Sequence, residues 1–272
     1  MTPSVRQALA QSGLVPVDAR VLLAHVLDCN RAWLAAHEQE PLTKAQADAF
    51  AAVARRRRDG EPVAYLTGKR EFWGLDLNVS PAVLIPRPET ETLVEFALSK
   101  LPEDRAVRVL DLGTGSGAIA LALAHDRPNA RVLATDTSDA ALAVAHDNAQ
   151  RLGLRNVTLV AADWYAGVPP ETWDLIASNP PYIGAVDPHL QDGDLRFEPV
   201  AALSPGVDGH SALRIIVAGA RERLARDGWL VAEHGYDQSE TVQTLFREAG
   251  FSGVVALRDL AGVHRVVAGR SP

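Results

Sequence analysis

Cysteine is almost absent from this chain. A single one, Cys29, stands among 272 residues, so no intramolecular disulfide can form and no cysteine cluster can hold zinc. A long apolar run is missing too, since no window reaches the ~18 uninterrupted apolar residues of a membrane span. The N-terminus, MTPSVRQALAQSG, has no basic start followed by an apolar stretch. No secretory signal and no membrane partner are therefore expected, and the expected address is cytoplasmic. Nor is there a surplus of positive charge, because 27 Lys and Arg face 34 Asp and Glu, a net charge of −7. Proteins of duplex nucleic acid usually carry a basic face, so no stable nucleic-acid partner is expected, although a local patch is compatible with this balance. What is present is ordinary for a globular protein: 47% of residues are hydrophobic and 22% charged, ample for a sizeable core. The length suits one large domain or two unequal ones.

The chain reads in three parts. Residues 1–70 show helical spacing and no strand signal. Thr2-Pro3, Asp18, Asn30 and Thr43 each stand where a helix cap belongs, and Gly60 ends the last long helix. That helix finishes on Arg55 to Arg58. Four cations at a helix end complement its dipole and can simply be solvated; the sharper reading is a contact with an acidic partner or an RNA backbone. Residues 71–86 contain two strand-like runs, FWGLDLNV and AVLI, divided by Ser80-Pro81, which suggests a β-hairpin linker. Residues 87–272 alternate strand and helix: VRVLDLG, ARVLATD, VTLVAAD, WDLIASN and GWLVAEHG are strands, and SALRIIVAGARERLARDG reads as one helix. This implies an α/β fold, a mostly parallel sheet covered on both faces. VVALRD and HRVVAG, joined only by LAGV, are too close for a parallel crossover and should pair antiparallel. There is no internal repeat.

The strand VRVLDLG runs into Gly113-Thr114-Gly115-Ser116-Gly117 and then a helix. Glycines let backbone turn sharply and approach a ligand closely, and in doubly wound sheets cofactors bind beyond the carboxyl ends of the strands. The loop also fits a relaxed dinucleotide fingerprint, so an NAD-dependent oxidoreductase is a rival reading. Asp136, at the end of the second strand, suits the ribose of either NAD or S-adenosylmethionine. Asp111 sits just before the glycines. Its carboxylate would repel a pyrophosphate and favour the ammonium of a methionine moiety, or it could brace the loop as an acceptor for backbone N–H groups. Asp163-Trp164 closes the third strand, where an acceptor beside an aromatic could hold the adenine amino group and stack its ring. Trp164 could equally be rim packing.

The fourth strand stops on Ser178-Asn179-Pro180-Pro181-Tyr182. Two successive prolines cannot donate to a ladder, so this corner is stiff, and it faces the same crevice as the glycine loop. A planar NH₂ conjugated to a carbonyl or ring is a poor nucleophile. Two acceptors can hold both of its N–H bonds and favour the positive charge that develops as a methyl group arrives. Asn179 offers a side-chain oxygen, Pro180 a backbone carbonyl, and Tyr182 a face for the planar group near a sulfonium.

DLGTGSGAIALALA together with SNPPY resembles the class I (Rossmann-like) amino-methyltransferases that use S-adenosylmethionine. GEPVAYLTGKREFWGLDLNVSPAVLIPRPETE and FEPVAALSPGVDG carry the resemblance further, over nearly the whole chain, to the HemK/PrmC family of peptide chain release factor glutamine N5-methyltransferases. The chain departs from that pattern at Pro205 and His210. The resemblance implies methyl transfer from S-adenosyl-L-methionine, leaving S-adenosyl-L-homocysteine, to the glutamine amide of the Gly-Gly-Gln motif in release factors. It implies cofactor contacts at Asp111, Gly113 to Gly117, Asp136, Asp163, Trp164 and Asn179. Asn179, Pro180 and Tyr182 would be the catalytic corner, and Pro181, Arg87, Glu89 and Thr90 would help to shape the substrate site. The helical residues 1–70 would serve substrate recognition. No metal is expected, and a monomer is. Rival readings are an adenine-N6 nucleic-acid methyltransferase, a glutamine methyltransferase of a ribosomal protein and a non-catalytic protein that keeps the cofactor fold. The first shares the corner but would need a basic groove and a base-flipping pocket.

Overall fold

Side-chain caps start most of the N-terminal helices. The computed structural model describes residues 2–272. Helix α1 (Val5–Gln11) begins at Ser4, whose hydroxyl accepts from Gln7 N–H while the Gln7 side chain reaches back, a reciprocal capping box. The cap is therefore Ser4 and not Thr2. Helix α2 (Pro16–Leu27) has no side-chain cap; Pro16 starts it, and Asp18 lies inside its first turn instead of capping it. Asn30 caps α3 (Arg31–Ala36), and Thr43 forms a second capping box at α4 (Lys44–Arg58). Helix α5 (Val63–Thr67) stops at Gly68 in the left-handed conformation. Val5, Leu22, Leu23, Leu34, Phe50 and Leu66 bury one another in this core. The unit runs to Lys69 and includes residues 192–197. Much of its arginine run is tied internally. Arg56 bonds Glu61 at 2.5 Å, Arg57 bonds Asp18 at 2.7 Å and Asp194 at 3.0 Å, and Arg58 donates to the Ser12 carbonyl.

The second unit comprises residues 70–191 and 198–272. Strands β1 (Lys69–Phe72) and β2 (Leu75–Asn78) form a two-stranded sheet. Their turn is Trp73-Gly74, both with positive φ (53° and 72°), the signature of a tight hairpin turn. The expected turn at Ser80-Pro81 is therefore displaced, and AVLI is not a strand. Val83 and Ile85 are buried in irregular backbone, where the Ile85 N–H donates to the Glu198 carboxylate at 3.3 Å in place of a ladder partner.

A short 3₁₀ turn, Pro88–Thr90, leads into α6 (Glu91–Lys100). The alternation that follows is β3 (Arg108–Leu112), α7 (Ala118–Asp126), β4 (Arg131–Asp136), α8 (Asp139–Arg151), β5 (Val157–Ala161) and β6 (Trp173–Ser178). Then come α9 (Val200–Leu203), α10 (Ser211–Ala220), β7 (Leu224–Glu233), α11 (Ser239–Glu248), β8 (Ser252–Arg258) and β9 (His264–Arg270). The seven strands lie in the order β5-β4-β3-β6-β7-β9-β8. β3 to β7 run parallel to one another, and β9 runs antiparallel to both β7 and β8; the short LAGV link between β8 and β9 requires their antiparallel pairing.

Alternate strand residues point to opposite faces. Val109, Val132, Leu175 and Val231 pack with α6 and α7 on one side. Leu110, Leu133, Ile176 and Leu230 pack with α10 and α11 on the other. Burial on both faces explains why these strands read as nearly continuous apolar runs. The expected long helix from Ser211 stops at Ala220, and the chain enters β7 at Leu224. Within β7, Asp227 takes a positive φ of 65°, and the pairing with β6 shifts register near Trp173, so a bulge occupies the polar stretch that mimicked a helix. The strand order reverses between β3 and β6, the position at which open α/β sheets form a crevice.

Candidate active site

Four neighbouring parallel strands carry apolar segments through the core and end in polar residues at the carboxyl side. Asp111 lies near the end of β3 and Asp136 ends β4, while Asn179 follows β6 and Glu233 ends β7. A cavity opens there. Among the residues expected at the site, its wall includes Gly113, Thr114, Gly115, Ser116, Asp136 and Trp164, together with Asn179, Pro181, Arg87 and Thr90. Asp111, Gly117, Asp163, Pro180, Tyr182 and Glu89 are not in that wall.

The glycine loop is held from beneath. Gly113 and Thr114 N–H both donate to the Thr135 carbonyl, at 2.9 and 2.8 Å. The Asp136 carboxylate accepts from Gly115 N–H and from Ser138 N–H, each at 2.9 Å. Gly117 has φ +86°, and a Cβ there would stand 2.9 Å from Leu121 Cδ1, so the turn into α7 requires glycine. Asp111 is fully buried, and its Oδ2 accepts from the Thr114 hydroxyl at 2.6 Å. It braces the loop from inside. Burial pushes its carboxyl up to about 7, against the pull of the Thr114 hydrogen bond.

Trp164 stands opposite the loop in an unusual conformation for a large side chain, φ +48°. Paired backbone hydrogen bonds between Asp163 and Ala166, 3.1 and 2.8 Å, close its turn. Positions of this kind favour glycine, and a tryptophan held there places a broad face on the cavity. Its Cζ3 lies 3.8 Å from where a Cβ on Gly113 would be.

The Asn179 amide is oriented by Thr90. Its Nδ2 donates to the Thr90 hydroxyl at 3.2 Å, which turns Oδ1 into the end available to accept. Tyr182 is directed inward: its hydroxyl donates to Glu233 Oε1 at 3.1 Å. Burial, then the Glu233 charge, pushes that hydroxyl well above the usual tyrosine range. Glu233 is 1% exposed, and its Oε2 has no hydrogen-bond partner. Burial pushes its carboxyl up to about 7, opposed by Thr90, Tyr182 and the Arg265 charge. Glu233 escaped the sequence reading. The available signal was a lone acid closing the apolar run WLVAE, level with the other polar strand ends.

Arg87 makes the second tie missed by the sequence. Its Nη2 donates to Glu198 Oε2 at 2.5 Å, and the Glu198 side chain is wholly buried. Glu198 thereby fastens the segment that contributes Pro199, Ala201 and Ala202 to the cavity wall. Glu89 lies near enough to Glu233 for its charge to be felt there. His210 sits at the start of α10, its Nδ1 against the Asp208 carbonyl at 2.6 Å.

The donor set suits an adenosine carrying a sulfonium-bearing amino acid. It comprises a close-approach glycine backbone, a carboxylate at the second strand end and an aromatic face at the third. The neighbouring acceptor, Asn179 Oδ1, left available by the Thr90 contact, suits a planar NH₂. Among the described residues, no group of three or more His, Cys, Asp or Glu forms a metal site, and no helix is long and apolar enough to cross a membrane.

Comparison with known proteins gives this geometry a family. The PrmC N-terminal domain matches residues 4–68, and the methyltransferase small domain matches residues 90–191. The release factor glutamine methyltransferase of Xylella fastidiosa strain Temecula1 is 53% identical over 100% of this chain and 98% of its own length. The Escherichia coli protein of the same name is 47% identical over 93% of this chain and 91% of its own. Among solved structures, the T. thermophilus 16S rRNA N2 G1207 methyltransferase, in complex with AdoMet and guanosine, superposes with a TM-score of 0.55 at 20% identity. That match covers 75% of this chain and 50% of the other, and it shows a shared fold. The class I methyltransferase architecture expected from the sequence is thus present, and the chain belongs to the release factor glutamine methyltransferase family.

Proposed function

We propose that this protein transfers a methyl group from S-adenosyl-L-methionine to the side-chain amide nitrogen (N5) of the glutamine in the Gly-Gly-Gln motif of peptide chain release factors. Asn179 carries the reading. Its amide lies in the wall of the cavity that the glycine loop also lines, and the Thr90 anchor leaves Oδ1 to accept. A primary amide has a delocalised lone pair. Oδ1 and the Pro180 carbonyl would take its two N–H bonds, orient the nitrogen and favour the charge that builds on it. The stiff Pro-Pro backbone makes that geometry inexpensive to hold. Asp136 would hold ribose hydroxyls, the Gly113 to Ser116 backbone the amino-acid portion, and Trp164 the adenine. Bound S-adenosylmethionine supplies an electrophilic methyl whose leaving group is a neutral thioether. The surplus proton on the methylated nitrogen passes to water, so the corner needs no strong base.

The helical residues 1–70 are proposed to help recognise the release factor, with 71–86 as the linker and 87–272 as the catalytic domain. The match of residues 4–68 to the PrmC N-terminal domain supports this division. The test is incubation with methyl-labelled cofactor and purified release factor, either native or with the Gly-Gly-Gln glutamine replaced. Label should enter only the native factor. Label that persists after the replacement, or none in either, would overturn the proposal.

A further inference from the structure

Helix α8 buries Ala141, Ala145, Asn148 and Ala149. Alanine is the best helix former and asparagine a poor one. Burying an amide is costly unless its polar atoms find partners, and Asn148 is 0% exposed. Its Oδ1 accepts from Asn78 N–H at 2.7 Å, and its Nδ2 donates to the Asn78 carbonyl at 2.9 Å and to the Ser116 carbonyl at 3.0 Å. One side chain thus pairs with both backbone groups at the end of β2, as a neighbouring strand would, and also with the glycine loop. We infer that Asn148 is a positioning residue for the S-adenosylmethionine site, fixing the Ser116 peptide of the glycine loop to the chain that leads from β2 into Ala82, Val83 and Leu84 of the cavity wall. The inference rests on the proposed methyl transfer from S-adenosylmethionine.

The other loop contacts leave this task to Asn148. Gly113, Thr114 and Gly115 are held through their N–H groups, by the Thr135 carbonyl and the Asp136 carboxylate. The peptide between Ser116 and Gly117 is held at both ends: Gly117 N–H donates to the Thr114 carbonyl at 2.9 Å, and the Ser116 carbonyl accepts from Asn148. Helix α8 reaches the loop because Gly117 lets the two approach; a Cβ there would stand 3.3 Å from Ala145 Cβ. Ala141, one turn earlier on the same face, lines the cavity itself. The partners also fix the amide. A carbonyl only accepts and an N–H only donates, so Nδ2 faces the two carbonyls and Oδ1 the N–H. An aspartate cannot reproduce this, since an ionised carboxylate only accepts, and it would set negative charge against the Ser116 and Asn78 carbonyls. Losing the Asn148 bonds frees two stretches of the cavity wall, which the cofactor must then order on binding, at a cost in affinity.

The test measures S-adenosylhomocysteine binding by isothermal titration, both affinity and stoichiometry, in the native protein and in Asn148→Asp, Asn148→Ala and Asn78→Ala, well below their melting temperatures. The dissociation constant should rise roughly 10- to 100-fold in Asn148→Asp and about 10-fold in Asn148→Ala, at native stoichiometry. Alanine suits a helix interior, so Asn148→Ala covers an aspartate variant that fails to fold. Asn78→Ala removes only the side-chain bond to Asp147, at 2.6 Å, and keeps the backbone bonds to Asn148, so it should bind as the native protein does. In methylation assays with purified release factor, KM for S-adenosylmethionine should rise in step with the binding loss, while kcat at saturating cofactor stays within about threefold of native. A merely structural asparagine predicts a different pattern: less folded protein, hence lower stoichiometry, with unchanged affinity in what remains. That pattern, or native affinity in Asn148→Ala, would overturn the inference, as would an equal loss in Asn78→Ala. Binding is read without release factor, so a native protein that binds S-adenosylhomocysteine but labels no release factor counts against the proposed methyl transfer alone.

Discussion

Replacing Arg87 by methionine should loosen one wall of the cavity. The Arg87 guanidinium lies 2.5 Å from a Glu198 carboxylate whose side chain is 0% exposed, while the arginine itself is 28% exposed. Removing one partner of a fully buried ion pair costs about 3–5 kcal/mol, because the other charge is left without compensation. Here water reaches the arginine side, and Glu198 keeps the Ile85 N–H, so the loss should be smaller, about 2–3 kcal/mol. For a unit of this size that lowers the melting midpoint by roughly 5–10 °C. Glu198 leads directly into Pro199, Ala201 and Ala202 of the cavity wall, so KM for the release factor should rise as well. The double variant Arg87→Met with Glu198→Gln removes the buried charge itself and should recover part of the stability. Thermal melting of the three proteins decides the matter. An Arg87→Met midpoint within about 1 °C of the native one, or a double variant no better than the single, would refute the reasoning.

Further outcomes follow from the same cavity. Gly117→Ala should lose about 1–3 kcal/mol, since a Cβ would stand 2.9 Å from Leu121 Cδ1 at φ +86°; denaturant titration reads the loss. Asp111→Asn should alter the pH dependence of stability. The folded carboxyl is raised to about 7, so its contribution to stability is complete below the unfolded value near 4 and is lost as pH rises to 7 and beyond. Relative to native protein, the asparagine variant should therefore gain stability between pH 4 and pH 8, and melting at the two pH values checks this.

Much of the fold can be read from local chemistry. Asn30 and Thr43 cap the helices the sequence assigns them, because a short polar side chain before an amphipathic run has few other uses. The parallel strands betray themselves through burial on both faces. The hairpin does not, because Trp73 is an improbable residue for a turn that demands positive φ, whereas Ser80-Pro81 is a persuasive false signal. AVLI looks like a strand because Val83 and Ile85 are core residues, and burial alone cannot say whether a ladder or Glu198 satisfies the backbone. The cavity residues on strand ends, Asp136 and Asn179, are visible because each ends an apolar run. Glu198 and Glu233 act on partners 111 and 51 residues away, and nothing local records such a pairing. Tyr182 illustrates the same limit: its place in the chain suggests a ring facing the ligand, whereas its hydroxyl is committed to Glu233.

The central claim is that Asn179 holds the acceptor amide, and Asn179→Ala tests it most directly. The substitution forfeits one hydrogen bond to Thr90, which should cost only about 1 kcal/mol of stability. Release factor methylation should nevertheless fall about 10²–10³-fold in kcat, the usual consequence of losing one preorganised charge-stabilising contact, while S-adenosylhomocysteine still binds. A variant that methylates the release factor at close to the native rate would contradict the account.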